Sequence, residues 1–386
     1  MARASTTVAP QPLLLPLLLL VAASLAPLSG AAQSVVSNTA PKVDAATGAI
    51  LDVHDGNTLR IGDTFYWFGA SYQECTEPPG NGGCDGARVG SCGFNLNHTV
   101  SLATSTDLVS WSLVGVVLPV ESRPPGILFS PWVARSASTG LYVLWVNILP
   151  VLNGQFSFDA AYYSVYTSAT PEGPFVIANK NVTGVAYTRL PDAASVFVDD
   201  DAGGSAYLAF THEDDHVNTV QELTPDLLGP KPGGAVSPQI GGTNNEGALM
   251  FKRDGLYYVA FGQCCCFCGE GSNVEVHVAT SPAGVYNKTG DLVSQRGALP
   301  PTHTRARAHA RSPAARATQM PSSSWSAQTG SVWFTGVDYV LQGDRWQSAP
   351  DRVKAHDFSY LTPIRFAADG GVVPVTAFED NVTIAY

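Results

Sequence analysis

The chain has 386 residues, enough for one large or two ordinary domains, and only 14% of them are charged. Its formal net charge of −11 and its pI near 5.1 argue against nucleic acid and anionic membranes as partners. The 37 glycines and 27 prolines, together with 10% aromatic residues, are typical of a β-structure with many turns.

The first 32 residues have the features of a secretory signal peptide. Arg3 gives a positive start, residues 13–21 are apolar, and Gly30-Ala31-Ala32 is a small-residue cleavage site. A membrane anchor is the alternative, but the apolar stretch is short and Pro16 interrupts it. We therefore expect a secreted, soluble protein that begins at Gln33. Glycosylation sequons fit that route and begin at Asn97, Asn181, Asn287 and Asn381.

One short pattern occurs four times in the rest of the chain. In each copy a turn of Gly, Asp, Ser or Thr residues precedes a run of aromatic and β-branched residues, which predicts a hairpin entering a buried strand. The runs contain Tyr66, Tyr142, Tyr207 and Tyr257, at spacings of 76, 65 and 50 residues. A repeated sheet unit of this size predicts a β-propeller, because a four-stranded sheet cannot bury both of its faces alone.

The pattern predicts an all-β, five-bladed propeller with four strands in each blade, in a single domain over residues 33–386. The predicted blades cover about 45–117, 125–180, 190–235, 243–292 and 325–386. Residues 301–319 are basic and of low complexity, and they show no strand periodicity. This composition favours a disordered insertion over a basic segment that binds polyanions.

Seven cysteines form two groups: Cys75, Cys84 and Cys92, and then Cys264, Cys265, Cys266 and Cys268. In an oxidising compartment we expect disulfides, with one cysteine left over. A zinc site is the alternative. Adjacent cysteines in an extended run point in alternate directions and cannot all face one ion, which favours disulfides. These would close within either group or tie the blade-1 loop at 71–93 to the blade-4 loop at 264–274.

Two acidic residues have the same spacing from a strand tyrosine. Asp55 lies 11 residues before Tyr66, and Glu246 lies 11 residues before Tyr257. The first strand of every blade lines the axis of a propeller. The shared spacing therefore predicts that both carboxylates face one axial pocket.

Several segments resemble glycoside hydrolase family 43, and most closely its exo-β-1,3-galactanase-like branch. They are Asp55-Gly-Asn-Thr-Leu-Arg-Ile-Gly-Asp-Thr-Phe-Tyr66, Ser195-Val-Phe-Val-Asp-Asp-Asp201, Glu246-Gly-Ala-Leu-Met-Phe-Lys-Arg-Asp-Gly-Leu-Tyr257 and Gly343-Asp-Arg-Trp-Gln-Ser348. The resemblance covers nearly all of the mature chain apart from 301–319. It implies a five-bladed propeller that hydrolyses a polysaccharide or oligosaccharide with inversion and without a cofactor. Some propeller glycosidases hold an axial calcium ion, but no loop of oxygen ligands is evident in this sequence.

Inversion needs two carboxyl groups about 6.5–9.5 Å apart, one to protonate the leaving oxygen and one to activate water. The resemblance makes Glu246 the general acid and Asp55 the general base. The apolar residues that follow Glu246 would raise its pKa and keep it protonated. An exposed strand end for Glu246 and a solvated turn for Asp55 are the alternatives. In the galactanase-like branch, Gln328 can support the water instead.

The family's third acid, which tunes the general acid, belongs at the position of Ala193. The nearest carboxylate, Asp192, is one residue early, and a slip of one residue in a strand reverses the direction of the side chain. Either a bulge returns Asp192 to the pocket, or the chain lacks the tuning residue.

Sugar binding calls for aromatic platforms and planar hydrogen-bonding groups. Trp346 is the best candidate platform, with Asp344 and Arg345 beside it, and Trp132 and Tyr72 are weaker candidates. The acidic run 199–201 is interpreted as a hairpin turn rather than a metal site.

The main functional hypothesis is a secreted, monomeric, exo-acting glycosidase. The alternatives are a carbohydrate-binding propeller with weak or lost catalysis and a purely structural propeller.

Overall fold

The computed structural model describes residues 31–78, 87–182, 186, 191–263, 267–294 and 325–386. Residues 1–30 of the predicted signal peptide, the predicted insertion at 301–319 and four of the cysteines (Cys84 and 264–266) lie outside these residues. Residues Ala32–Tyr386 form one compact unit. The described residues are strands, turns and short 3₁₀ segments, and no helix among them is long and apolar enough to cross a membrane.

Twenty-two strands, numbered along the chain, form the described fold. Blade 1 contains β2 (Thr58–Ile61), β3 (Thr64–Ser71), β4 (Thr99–Ser105) and β5 (Ser112–Leu118). Blade 2 contains β6 (Ile127–Arg135), β7 (Tyr142–Leu149), β10 (Tyr162–Ser168) and β11 (Val176–Val182), and a small hairpin of β8 (Val151–Leu152) and β9 (Gln155–Phe156) interrupts it. Blade 3 contains β12 (Pro191–Asp199), β13 (Ser205–His212) and β14 (Asn218–Glu222).

Blade 4 contains β15 (Asn245–Arg253), β16 (Leu256–Gln263), β17 (Val274–Ala279) and β18 (Asn287–Val293). Blade 5 contains β19 (Gln328–Phe334), β20 (Tyr339–Arg345) and β21 (Phe358–Pro363). The chain ends form a separate pair, β1 (Gln33–Ser37) and β22 (Asn381–Ala385). These five sheets are the blades of a propeller, as predicted.

The repeated sequence pattern marks the hairpin between the first and second strands of blades 1 to 4. Each copy contributes the start of a second strand, namely β3, β7, β13 or β16. Glycines with positive φ, between +61° and +79°, stand at these turns: Gly62, Gly140, Gly204 and Gly255. Glycine adopts this conformation without the steric cost that a Cβ atom brings, which is why the same turn chemistry recurs.

Blades 3 and 5 have three strands each in the described residues, rather than the four predicted. The segment after β14 pairs with this strand only through isolated bridges, such as Asn218–Ile240 and Gln221–Val236. Four prolines occupy this stretch (Pro225, Pro230, Pro232 and Pro238). Proline has no N–H to give to a ladder, so a regular fourth strand does not form.

The two chain ends pair with each other beside blade 5. β1 and β22 are antiparallel, with Val35 opposite Thr383. The side chain of Asn38 then joins them to β21, since it accepts from the Leu361 N–H at 2.9 Å and donates to the Leu361 carbonyl at 3.0 Å. Ile384 is completely buried in the seam between this pair of end strands and blade 5. Pairing of the ends thus anchors both termini to the last blade.

The first strands of the blades surround the centre of the molecule. β6 contacts β12, β12 contacts β15, β15 contacts β19, and β19 contacts β2; blade 1 then meets blade 2 through β3 and β6. Residues at the starts of these strands therefore converge from all five blades.

Candidate active site

A cavity that opens to solvent lies at the centre, and residues from every blade line it. The residues that line it include three acids, Asp55, Asp192 and Glu246, and the amides of Asn147 and Gln328. The aromatic residues of its wall are Tyr72, Phe94, Phe129, Phe158, Phe267 and Trp346. The structure thus brings together all four residues for which the sequence predicts a catalytic role.

Asp55 lies in a turn just before β2, not on the strand itself. Its φ of +52° puts it in the left-handed region, and its N–H donates to the carboxylate of Asp344 at 2.8 Å. Its own Oδ2 accepts from the Ser130 N–H at 2.8 Å and from the Tyr72 hydroxyl at 3.5 Å. These contacts anchor the turn and aim the carboxylate into the cavity.

Asp55 and Glu246 do not stand at the same register of their blades, although each precedes a strand tyrosine by 11 residues. Asp55 precedes Ile61, the last paired residue before its hairpin turn, by six residues. Glu246 precedes the corresponding Arg253 by seven. The pairing of β15 is irregular between Glu246 and Leu249, and this bulge absorbs the additional residue.

The environment of Asp55 favours its protonated form. Burial, followed by the charge of Asp344, raises its pKa to about 7, and the charge of Asp192 adds to the effect. Hydrogen bonds from Ser130 act in the opposite direction. An acid–base group with a pKa near neutrality changes protonation state readily at the pH at which most enzymes work.

A buried histidine supports Asp344 from the other side. His54 Nδ1 lies 3.1 Å from Asp344 Oδ1, and His54 Nε2 lies 3.8 Å from Asp52 Oδ1. Burial alone lowers the pKa of His54, but the hydrogen bond and charge of Asp344 and the charge of Asp52 outweigh it, so the pKa is raised. The raised pKa favours the imidazolium form of His54, whose positive charge would offset the acids beneath Asp55.

Glu246 stands at the start of β15, and a glycine shapes the bulge that presents it. Gly247 has a φ of +72°, which a residue with a Cβ atom adopts only with strain. A Cβ atom on Gly247 would also lie 3.3 Å from the Thr329 carbonyl oxygen of β19. The bulge therefore depends on glycine both for its backbone conformation and for its close approach to blade 5.

Three hydrogen bonds fix the orientation of the Gln328 side chain. The indole N–H of Trp346 donates to Oε1 at 2.7 Å, and the backbone N–H of Phe267 donates to it at 3.2 Å. Two donors can be accepted only by the oxygen of the amide, so the Nε2 group points the other way. It donates to Glu246 Oε2 at 3.1 Å.

Asp192 reaches the cavity because β12 is irregular where the sequence allowed for a bulge. The pairing of β12 with β13 shifts between Pro191 and Ala194. Asp192 lines the cavity, and burial raises its pKa, while the charge of His216 acts in the opposite direction. Asp192 therefore lies at the cavity, as the bulge alternative predicts, and its role in tuning the general acid stays a prediction.

Two polar residues near these acids were not predicted from the sequence. Glu213 directly follows β13, and burial, with the charges of Asp192 and Glu246, raises its pKa to about 9. Asn147 lines the cavity and donates to the Pro191 carbonyl at 2.9 Å. Asn147 is the one amide in the otherwise apolar strand β7, and this exception could have identified it from the sequence.

The predicted sugar-binding residues fall into three groups. Trp346 and Tyr72 line the cavity, but their side chains are 3% and 0% exposed, so they support other residues more than they offer an open platform. Trp132 lies in a small adjoining pocket with Asp55 and donates to the Val196 carbonyl at 3.0 Å.

Asp344 and Arg345 do not line the cavity. Asp344 lies behind Asp55, where it accepts the hydrogen bonds from Asp55 and His54 described above. The guanidinium of Arg345 lies 4.5 Å from the Phe378 ring centroid and donates to the Asn38 carbonyl at 2.5 Å. Successive residues of a strand point to opposite faces, so Arg345 holds the chain ends instead of a sugar.

One disulfide closes within the first cysteine group, between Cys75 and Cys92. It joins the two sides of the blade-1 loop, which is one of the arrangements predicted. Cys268, on the blade-4 loop, is also disulfide-bonded. Disulfide formation in both groups favours disulfides over the zinc alternative.

Within the described ranges, one group of side chains has the composition of a metal site. His212, Asp214 and Asp215 bring their ligand atoms within 4.8 Å of one another beyond the end of β13. The acidic run at 199–201 has a different role. Asp199 accepts from Lys252 at 2.8 Å and from the Tyr257 hydroxyl at 2.6 Å, and the next residues form a 3₁₀ turn, as the turn interpretation predicts.

The family model for glycosyl hydrolases of family 43 matches residues 50–314. No curated protein sequence is significantly similar to the chain.

Solved structures of three proteins have a similar fold. An exo-β-1,3-galactanase from Phanerochaete chrysosporium is 21% identical with a TM-score of 0.66, and the match covers 90% of this chain and 68% of that one. An exo-β-1,3-galactanase from Clostridium thermocellum is 21% identical with a TM-score of 0.65, and the match covers 88% of this chain and 64% of that one. A family 43 β-1,3-galactosidase is 19% identical with a TM-score of 0.65, and the match covers 91% of this chain and 63% of that one. The chain therefore spans less than two thirds of the length of the last two proteins.

Proposed function

Because the chain belongs to the glycosyl hydrolases of family 43, and is therefore a glycosidase, we propose that it removes sugars from the end of a galactan-like polysaccharide with inversion. The observation that carries this proposal is the placement of Asp55 and Glu246 in one axial cavity. They come from blades 1 and 4, which are not neighbours in the ring. Carboxyl groups on two sides of a bound sugar are what inversion requires.

In this proposal Glu246 is the general acid. Its Oε2 accepts a hydrogen bond from Gln328, and its carboxyl group presents a proton to the leaving group. Gln328 thus holds the acid in one orientation. A fixed donor at the glycosidic oxygen lowers the barrier most when the leaving group is poor.

Asp55 is the general base in this proposal. In the competing assignment Gln328 positions the attacking water. Gln328 Oε1 already accepts two hydrogen bonds, one for each lone pair. The carboxylate of Asp55 retains acceptor capacity toward the cavity. It is therefore the better acceptor for a proton from attacking water.

The acids around the cavity also suit the transition state. Cleavage passes through an oxocarbenium-like species with positive charge on the sugar ring. Asp192 and Glu213 lie close enough to the catalytic pair for their charges to affect one another's pKa. A pKa near 9 leaves Glu213 neutral at the working pH, so the negative charge that stabilises the developing cation comes from the ionised carboxylate of Asp55, and the chemistry needs no cofactor.

The galactan-like substrate is proposed from the similar structures. Three of them are described as β-1,3-galactosidases or exo-β-1,3-galactanases, and the Phanerochaete enzyme was solved with galactose and with β-1,3-galactotriose. A central cavity walled by loops of several blades fits the end of a chain better than its middle. Asp192, whose position in the sequence favoured a binding module without catalysis, lines the cavity, and this supports the catalytic proposal.

The proposal is tested by hydrolysis of β-1,3-galactan and of a panel of aryl glycosides. With wild-type protein we expect release of single sugars whose anomeric configuration, followed by NMR, is inverted. With Glu246→Gln we expect a loss of about 10²–10⁴-fold on galactan, and a much smaller loss on aryl glycosides with good leaving groups, which need little protonation. Glu222→Gln, on β14 in an ion pair with Lys231, is the control and should keep full activity.

Two results would contradict the proposal. Full galactanase activity in Glu246→Gln would remove Glu246 as the acid. Absence of hydrolysis on every substrate, despite binding of galacto-oligosaccharides, would support the binding-module alternative instead.

We also propose that the protein is secreted and glycosylated. The sequence features of residues 1–32 and the disulfide between Cys75 and Cys92 support export, and the asparagines of all four sequons are exposed. Expression of the full chain in cultured eukaryotic cells should place it in the medium, with an N-terminus at Gln33 and with glycan removable by a glycosidase. Retention inside the cells with an uncleaved N-terminus would contradict this proposal.

A further inference from the structure

A lysine is completely buried behind the cavity wall. Lys354 is 1% exposed, and lysine is almost never buried to this extent unless its charge is paired. Its ammonium lies 3.3 Å from Oε1 of Glu77, which is itself buried and comes from the blade-1 loop. The catalytic assignments above do not use this ion pair.

The ammonium of Lys354 also lies over three aromatic rings of the cavity wall. It is 3.5 Å from the Phe267 ring centroid, 3.6 Å from that of Trp346 and 5.0 Å from that of Tyr72. Cations are attracted to the faces of aromatic rings, and most strongly where water is excluded. One charge therefore holds side chains from blades 1, 4 and 5 together.

Two of these three residues are the donors that orient Gln328. Trp346 donates through its indole N–H, and Phe267 donates through its backbone N–H, both to Gln328 Oε1. Gln328 in turn donates to Glu246. The contacts form a continuous path from Lys354, through the two aromatic residues and the amide, to the proposed general acid.

The loop that carries Glu77 is fitted to the lysine by backbone contacts. The Lys354 N–H donates to the Cys75 carbonyl at 3.0 Å, and the Glu77 N–H donates to the Arg352 carbonyl at 2.8 Å. Gly93 lies so close that a Cβ atom on it would be 2.7 Å from the Phe267 ring and 3.2 Å from Lys354 Cε. The packing thus leaves the ammonium little freedom to move.

We propose that Lys354 is a positioning residue, whose charge, paired with Glu77, holds Trp346 and Phe267 in the geometry that aims Gln328 at the general acid. The inference rests on the proposed function for its catalytic consequence. Burial lowers the pKa of Lys354, and the charges of Glu77, Asp357 and Asp344 oppose that effect.

The first test is structural and needs no activity. Lys354→Met keeps the length of the side chain and removes the charge. In a crystal structure of this variant we expect the Trp346–Gln328 hydrogen bond to be broken and the Gln328 amide to be rotated away from Glu246. An unchanged Trp346–Gln328–Glu246 arrangement would overturn the proposal.

The second test is kinetic. A misaimed acid should lower kcat on galactan by about 10²-fold with little change in KM, and should spare aryl glycosides with good leaving groups. If Lys354 acts through Gln328, the double variant with Gln328→Ala should be no worse than Gln328→Ala alone. Equal losses on both substrates, or additive losses in the double variant, would show a merely structural role and overturn the proposal.

Two further variants complete the experiment. Lys252→Met removes a largely buried ion pair with Asp199, together with a contact to the Tyr257 ring, away from the cavity, and should leave kcat unchanged. Glu77→Gln should shift Gln328 and kcat in the same direction as Lys354→Met, but less, and it decides the matter if Lys354→Met does not fold. If wild-type protein hydrolyses no glycoside, the proposed function fails, while the structures of the two variants still decide the role of Lys354.

Discussion

At the residue scale, the candidate site depends on carboxyl groups held in unequal surroundings. Asp55 accepts hydrogen bonds from Ser130 but lies among other acids, and its pKa rises to about 7. Glu246 contacts a neutral amide, Gln328. Two carboxyl groups in different environments are suited to opposite roles in one reaction.

The raised pKa of Asp55 predicts the pH dependence of catalysis. As a general base Asp55 must be ionised, so kcat/KM for an aryl substrate should rise about tenfold per pH unit below pH 7 and level off above it. Azide is a nucleophile that needs no base. In Asp55→Ala supplied with azide, the rescued rate should lack this rise. Persistence of the rise in the rescued variant would assign it to another group.

The same pKa predicts an effect on stability. The pKa of Asp55 is raised in the folded state, so its contribution to stability is greatest below the unfolded value of 3.8 and is lost as the pH rises through about 7. Asp55→Asn removes the buried charge. At pH 9 it should therefore be more stable than wild type, by up to about 4 kcal/mol in free energy of unfolding at about 1.4 kcal/mol per pKa unit. A higher unfolding temperature at pH 9 would show this gain, which should vanish near pH 4.

The control for this measurement is Asp63→Asn, in the hairpin turn after β2. The Asp63 side chain is fully exposed, so its stability change should be small at both pH values. A gain for Asp55→Asn that is equal at pH 4 and pH 9 would contradict the assignment of the effect to a buried charge.

At the element scale, two bulges decide where the acids point. Strands alternate their side chains between two faces, so one extra residue changes which side chain reaches the axis. The irregularity after Pro191 admits Asp192 to the cavity, and the one after Glu246 presents the proposed general acid. Both lie at the central ends of first strands, where an interrupted ladder costs the blade little pairing.

Gly247→Ala tests the bulge of β15. The positive φ should cost about 1–2 kcal/mol of stability, and relaxation away from the Thr329 carbonyl should move Glu246 and lower galactanase activity. Gly255→Ala is the matched control, since its φ of +78° carries similar strain but nothing lies within 4 Å of the added Cβ atom. Thermal unfolding and kcat measure the two effects. Equal kcat values in the two variants would contradict a positioning role for the bulge.

At the scale of the whole molecule, the pairing of the chain ends stabilises the propeller. β1 and β22 meet beside blade 5, and their inner side chains pack against residues of blades 1 and 5. A ring of blades is held only as well as its seam, because each blade buries its faces against its neighbours.

Ile384→Ala should therefore destabilise the protein by about 2–5 kcal/mol, as expected for a buried isoleucine. Val35→Ala, on the partner strand, is the control. Its side chain is 63% exposed, and the change should be within about 0.5 kcal/mol. Urea unfolding gives both values. A small effect for Ile384→Ala would mean that the seam contributes little to global stability.

Local sequence patterns predict much of this architecture. Turn glycines followed by aromatic and β-branched runs identify the hairpins around Tyr66, Tyr142, Tyr207 and Tyr257, and their number and spacing predict the propeller. These signals are readable because strand alternation and turn conformation depend on neighbouring residues. The equal spacing of Asp55 and Glu246 from strand tyrosines predicted a shared cavity, and both residues line it.

Other features were decided only by the tertiary structure. The bulge that admits Asp192, the turn of Arg345 away from the cavity and the orientation of Gln328 depend on pairing between strands. Lys354 receives its partners from residues 277 and 87 positions away, Glu77 and Phe267. Contacts across such separations leave no periodic trace in the sequence, because burial and charge pairing act on residues that only the folded chain brings together.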